Sequence, residues 1–152
     1  FIDADLPVSI DALPGLVRRA ESTGADLVVG SRRIPGAVVV EPQPLARRLG
    51  GTGFRAAARL LGYRVTSDPQ CGVKLLRSTT MAPVVASCVN RRFAFDIELI
   101  SRTRAAGLRV VEHPVSWRHV DGSSLRPVRD AAVALRDLAR LRAQLARRSS
   151  PD

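Results

Sequence analysis

The five residues Asp26-Leu27-Val28-Val29-Gly30 form a short apolar run closed by glycine, with helix-like sequence on both sides. A run of this length, bounded by turn residues, predicts a strand. The same alternation continues along the chain. Residues 1–5 read as the end of a buried strand. Ser9 can cap a helix to about Ala20, with Ile10, Leu13, Leu16 and Val17 on one face, Pro14 near its start and Gly24 as its stop. Residues 31–43 read as a loop and Leu45 to Leu61 as a helix interrupted by Gly50, Gly51 and Gly53. Residues 65–72 suggest a loop or short strand, and Val73 to Arg77 alternate as a strand. Helices are expected over Thr79 to Val89 and Ala94 to Ala106, the second stopped by Gly107. Leu108 to Trp117 reads as a strand that Pro114 pushes to a sheet edge or bulge. After a polar loop at 118–126, Pro127 to Arg148 gives the clearest helix, with Val128, Ala131, Leu135, Leu138, Leu141 and Leu145 on one stripe. Strands alternating with helices predict an α/β domain, and the fold class expected is a mixed sheet with flanking helices.

Composition narrows the function classes. The chain has 152 residues, 24 Lys and Arg against 14 Asp and Glu, and a net charge of +10. All but one of the cations are Arg, Lys74 being the exception, which discounts the usual step from basicity to nucleic acid. Aromatics are only 4%, so bases would find few stacking partners. Phosphate-bearing substrates or an anionic membrane surface are the better reasons for the charge. No apolar run is long enough to span a bilayer. Two cysteines make no disulfide framework, which suits a reducing compartment. The chain begins with Phe1 rather than Met, at what reads as a strand end, so an N-terminal part is expected to be missing.

Several constellations could carry chemistry. Asp3-Ala4-Asp5 places two carboxylates on one side of a strand end, where they can hold a divalent cation against a diphosphate. With ten Asp in the chain, such a pair arises by chance about 0.65 times, and a solvated turn explains it equally. Gly30-Ser31-Arg32-Arg33 offers guanidinium forks to phosphate just past a strand, or simply solvated loop arginines. Asp68 to Lys74 packs an acid, an amide, a thiol, a glycine and the lone lysine into seven residues; a turn into a strand is the plain alternative. Asp96 and Glu98 lie near a helix start, where they favour the helix dipole, and on a helix they point to different sides. His119 to Arg126 is a polar loop whose hydroxyls could bind phosphate or merely cap a helix. The two histidines and two cysteines lack zinc-ligand spacing and any familiar Cys–His context.

Taken in order, the motifs Asp-Ala-Asp, Val-Gly-Ser-Arg, Asp-x-Gln-Cys-Gly-x-Lys, Phe-Ala-Phe-Asp-x-Glu-Leu, Glu-x-Pro-Val-x-Trp and Asp-Gly-Ser-x-Leu resemble the family-two inverting glycosyltransferases of GT-A fold. The likeness is strongest to the dolichyl-phosphate β-glucosyltransferase group and bacterial polyprenyl-phosphate glycosyltransferases, and it runs from Phe1 to about Arg142. It implies the C-terminal part of a Rossmann-like nucleotide-diphospho-sugar transferase domain over residues 1–126, a basic amphipathic helix over 127–148 and a tail over 149–152. It implies transfer of a hexose, glucose first, from a UDP-sugar to a polyprenyl phosphate, in a bacterial protein peripheral to the cytoplasmic face of a membrane.

By the same resemblance, Asp3 and Asp5 match a pair that holds Mg²⁺ or Mn²⁺, and Arg32 an arginine facing substrate phosphate. Asp68, Gln70 and Lys74 match the sugar and acceptor side. Asp96 and Glu98 match an acidic pair beside the active site, and Ser123 a loop near the acceptor phosphate. Asp68, Lys74, Asp96 and Glu98 are thus the expected catalytic group, and Arg47 or Arg48 would do similar phosphate work. The chain departs from the pattern in lacking the N-terminal nucleotide-binding half. Pro7 stands where mannosyl-type relatives have Gln, and Ser124 where the glucosyl group often has Lys. Two other classes compete: a nucleotidyltransferase that makes sugar nucleotides, and a basic module that binds membrane or nucleic acid without catalysis.

Overall fold

The structure, a computed structural model, describes residues 1–4, 6–42, 45–90, 94–118 and 127–148; of Ala46, Arg47, 127–131 and 144–148 the backbone alone is described. Its centre is β1, Leu27–Ser31, buried along its whole length. β1 pairs antiparallel with β3, Lys74–Leu76, and parallel with β4, Val110–Pro114. The sheet is therefore mixed, in the order β3-β1-β4, as the fold class expected from the resemblance has it.

Side chains of β1 alternate between two cores, as a strand must when both faces are covered. Val28 joins Val8, Leu16, Val73, Val115 and Trp117 on the face covered by α1, Leu13–Thr23. Leu27 and Val29 join Met81, Val84, Leu99 and Ile100 on the other face. There they meet α3, Ser78–Ser87, and α4, Phe95–Ala105. A third core joins α2, Leu45–Leu60, to α5, Pro127–Arg148, through Phe54, Ala58, Tyr63, Ile97, Leu138 and Leu141. Leu135, Leu138 and Leu141 of the α5 stripe thus pack in the core shared with α2 and α4. Among the described residues no helix is long and apolar enough to cross a membrane.

Several local expectations change. Residues 1–3 form no full strand: Ile2 makes a single antiparallel bridge to Val73. Ser9 caps a 3-10 turn, Ile10–Ala12, by accepting from the Asp11 amide. α1 begins only at Leu13, so Pro14 falls in its first turn, where no helix hydrogen bond is lost. Of its expected apolar face only Leu16 is buried; Ile10, Leu13 and Val17 remain exposed. Gly24 ends it in the left-handed conformation, φ 62°. The expected loop at 31–43 contains β2, Val38–Val39. The strand expected over 108–117 is two: beyond Pro114 the chain leaves the main sheet, and β5, Ser116–Trp117, pairs parallel with β2. Pro114 supplies no amide hydrogen, which suits an edge strand that changes sheets there.

Candidate active site

The site forms where the carboxyl end of β1 passes the turn leading into β3. The two backbones run close: a side-chain carbon on Gly30 would stand 2.5 Å from Val73 Cγ1 and 3.1 Å from Cys71 Sγ. This approach brings Arg32, just past β1, against Asp68 at the head of the turn. The guanidinium donates through Nε to Asp68 Oδ2 at 2.6 Å and through Nη2 to Oδ1 at 2.7 Å. The Arg32 backbone amide adds a third bond to Oδ2 at 3.0 Å. Asp68 is almost wholly buried, its side chain 1% exposed. Burial pushes its carboxyl upward, but the hydrogen bonds and charge of Arg32 outweigh this and hold it below the usual carboxylate range. The face of Arg32 stacks on Trp117 at 5.1 Å. Fork, stack and carboxylate together fix the orientation of this guanidinium.

A second buried pair lies beside the first. Lys74 opens β3 with its side chain 1% exposed; its Nζ meets Asp96 Oδ1 at 2.7 Å and donates to the Cys71 carbonyl at 2.9 Å. The Phe1 ring covers it at 5.0 Å. Burial pushes the Asp96 carboxyl above its usual value, although Lys74 pulls it down, and the charge of Asp68 adds to the rise. The two ion pairs therefore feel each other as one unit. Burial raises the Cys71 thiol between them to about 11, so it is a packed thiol rather than a nucleophile.

Asp3 joins from the N-terminal segment. Its amide donates to the Gly72 carbonyl at 2.7 Å, and its charge is close enough to Arg32 to favour the guanidinium. Asp3 Oδ2 occupies the space where a side chain at Gly72 would begin. Only glycine fits opposite that carboxylate.

Asp3, Arg32, Asp68, Lys74 and Asp96 are thus brought together from the N-terminal segment, the end of β1, the turn before β3, β3 itself and the start of α4. Gln70 lies half-buried in the same turn. Glu98 does not join them. It is fully buried and accepts from the Val89 amide at 3.0 Å, the Asn90 amide at 2.8 Å, Asn90 Nδ2 at 2.7 Å and Arg102 Nε at 2.7 Å. Helical spacing sends the two acids of α4 to different sides, so Glu98 ties down the α3–α4 connection, while Asp96 faces Lys74. Asp5, Arg92, Phe93 and the 119–126 loop with Ser123 lie outside the described residues, as does the side chain of Arg47.

Three supports were not singled out from sequence. Trp117 stacks on Arg32, and Gly72 makes room for Asp3. Glu112 accepts from the Ser67 amide at 3.1 Å and the Asp68 amide at 3.2 Å, holding the turn in place. Glu112 and Trp117 both belong to the Glu-x-Pro-Val-x-Trp motif, so their signal was present. A fourth neighbour, Arg55 of α2, is buried; burial and the nearby Arg33 lower its pKa, while Asp68 favours its charge.

No family model matches the chain. Curated relatives do. A dolichyl-phosphate beta-glucosyltransferase of Dictyostelium discoideum is 26% identical over 128 residues, covering 84% of this chain and 39% of the relative. The glycosyltransferase AglD of Haloferax volcanii is 28% identical, covering 86% of this chain and 20% of that protein. The undecaprenyl-phosphate mannosyltransferase of Micrococcus luteus is also 28% identical, over 76% of this chain and 47% of its own length. The chain thus spans less than half the length of each of these relatives. Its likeness to polyprenyl-phosphate glycosyltransferases, read first from ordered motifs, extends over most of its residues.

Proposed function

We propose that this chain is part of an inverting glycosyltransferase that moves a hexose, glucose first, from a UDP-sugar to a polyprenyl phosphate at the cytoplasmic face of a membrane. The observation that carries the reading is the cluster of Asp3, Arg32, Asp68, Lys74 and Asp96, built on the buried Asp68 and Lys74, at strand ends, where α/β folds place their ligands. The names and coverage of the relatives support the same class.

The residues suit a divalent cation. Gly72 leaves the space beside it to the Asp3 carboxylate, a hard oxygen ligand. Asp3, with Asp5 two residues on, would hold Mg²⁺ or Mn²⁺. Among the described residues no group of three His, Cys, Asp or Glu could hold a metal, so donor phosphate oxygens and water would complete the shell. When bound, the ion supplies charge stabilisation to the leaving diphosphate.

The chain's own residues do the rest. Asp68 and Trp117 hold the Arg32 guanidinium ready, so it meets phosphate charge with little reorganisation. Lys74 brings a second cation to a site poor in water, where charge acts strongly. Asp96, its carboxyl raised by burial, suits a hydrogen bond with a sugar hydroxyl. In the step itself an acceptor phosphate oxygen bonds to the anomeric carbon while the bond from that carbon to the donor diphosphate breaks, and the nucleoside diphosphate leaves. A phosphate monoester has its second pKa near ~6, so it arrives ionised and no base must take a proton. Positioning and charge carry the rate.

The test uses the intact protein in membranes, with a polyprenyl phosphate and labelled UDP-glucose or GDP-mannose. Metal-dependent label in the organic phase from UDP-glucose, lost in Asp3→Asn, is the expected result. Transfer from GDP-mannose alone keeps the reaction and replaces the sugar. No lipid label from either donor, in protein shown to be folded, overturns the reading.

A further inference from the structure

A groove of about 580 Å³ opens over the C-terminal half of α4, away from the Lys74–Asp96 pair at that helix's start. Four arginines line it: Arg64 from the turn after α2, Arg102 and Arg104 from α4, and Arg142 from α5. Glu98 is the one acid among its lining residues, and Arg102 and the Val89–Asn90 connection already engage both of its oxygens. Cations in the last turn of α4 are expected, because they balance the negative pole of the helix. That accounts for Arg102 and Arg104 but not for Arg64 or Arg142, which arrive from other elements.

Arg104 and Arg142 both rest against the Gly62–Arg64 turn. Arg104 Nη1 donates to the Arg64 carbonyl at 2.6 Å. The Arg142 guanidinium lies along Gly62, within 3.4 Å of where a side chain there would start. Tyr63, between those two residues, is anchored by its hydroxyl to the Leu138 carbonyl at 2.7 Å. Burial and the charge of Arg64 lower the Arg104 pKa, with Glu112 acting weakly the other way. An anion here would relieve that repulsion. Val84, Leu108 and Leu141 supply apolar walls beside these polar groups.

We propose that this groove binds a phosphate group through Arg64, Arg104 and Arg142, at a site separate from the transfer centre. The chemistry fits a soluble phosphate ester or a phospholipid headgroup alike, and it stands whether or not the transfer reaction does. Forked guanidinium donors from three elements match phosphate oxygens, and the apolar walls suit the body that carries the phosphate.

The test compares the intact protein with Arg64→Glu/Arg142→Glu and with Arg18→Glu/Arg19→Glu, a pair on exposed α1 with the same change in charge. Arg64→Gln/Arg142→Gln serves as a milder variant, and thermal melts check that each folds. Inorganic phosphate binding is followed by calorimetry. Headgroup binding is followed by flotation with vesicles of phosphatidylcholine containing phosphatidic acid, against phosphatidylcholine alone. The expected result is saturable binding of at least one probe, weakened about tenfold or more by Arg64→Glu/Arg142→Glu, several-fold by Arg64→Gln/Arg142→Gln and not by the α1 pair. Phosphate alone identifies a soluble ligand; the acidic vesicles alone identify a lipid. Equal weakening by both charge pairs, or saturable binding of neither probe, overturns the site.

Discussion

Arg32 and Asp68 form the tightest unit in the candidate site, and their worth is measurable. Asp68→Ala leaves a largely buried guanidinium without its carboxylate and is expected to cost about 3–5 kcal/mol in urea unfolding. The double variant Arg32→Ala/Asp68→Ala should lose less than the two singles summed, because no unpaired charge remains. The pair also sets an acid limit. The folded pKa of Asp68 lies below its ordinary 3.8, so its stabilisation is present above about pH 4 and is lost as pH falls through the folded value. Thermal melts of the wild type should therefore decline below about pH 4, and those of Asp68→Asn should decline less over that window. Gly72→Ala tests the space kept for Asp3: a methyl there displaces the carboxylate, and transfer is expected to fall about a hundredfold with the circular dichroism spectrum unchanged. Sequence alone marked Arg32, Asp68 and Lys74 as chemically loaded positions. It could not show that Arg32 closes on Asp68, because the partners are 36 positions apart and meet only through strand packing.

Among the elements, α4 shows how one helix serves two tasks. Asp96 and Glu98 lie two positions apart, so they face different sides; one meets Lys74 and the other ties the chain entering the helix. Glu98→Gln keeps the shape but turns an amide donor toward groups that donate. It should cost about 1–3 kcal/mol and speed hydrogen exchange at the Val89 and Asn90 amides, while exchange in β1 stays slow. The existence of α2, α4 and α5 was legible from periodicity and glycine stops. The split of the last strand at Pro114 was half legible: proline signalled an edge, but the move of Ser116 and Trp117 to a second sheet depends on β2, a two-residue strand with no pattern of its own. Of the apolar face assigned to α1, Ile10 lies in the 3-10 turn before the helix, and within the helix only Leu16 is buried.

At the scale of the whole molecule, three cores surround one buried strand, and the proposed transfer site lies at that strand's end. Arg32 is committed to the ion-pair cluster, and Arg64, Arg102, Arg104 and Arg142 gather in the groove over α4. The central claim is that the buried cluster performs the transfer, and Lys74→Met tests it most directly. Methionine fills much of the same space, and Asp96, already raised by burial, can take up a proton once its cation is gone. Sugar transfer to polyprenyl phosphate is measured for the intact protein and the variant at matched folded fractions. A fall in kcat of about a hundredfold or more, with the melting transition retained, is the predicted result. Transfer at the wild-type rate in a folded Lys74→Met protein would contradict the account and move the catalytic centre elsewhere.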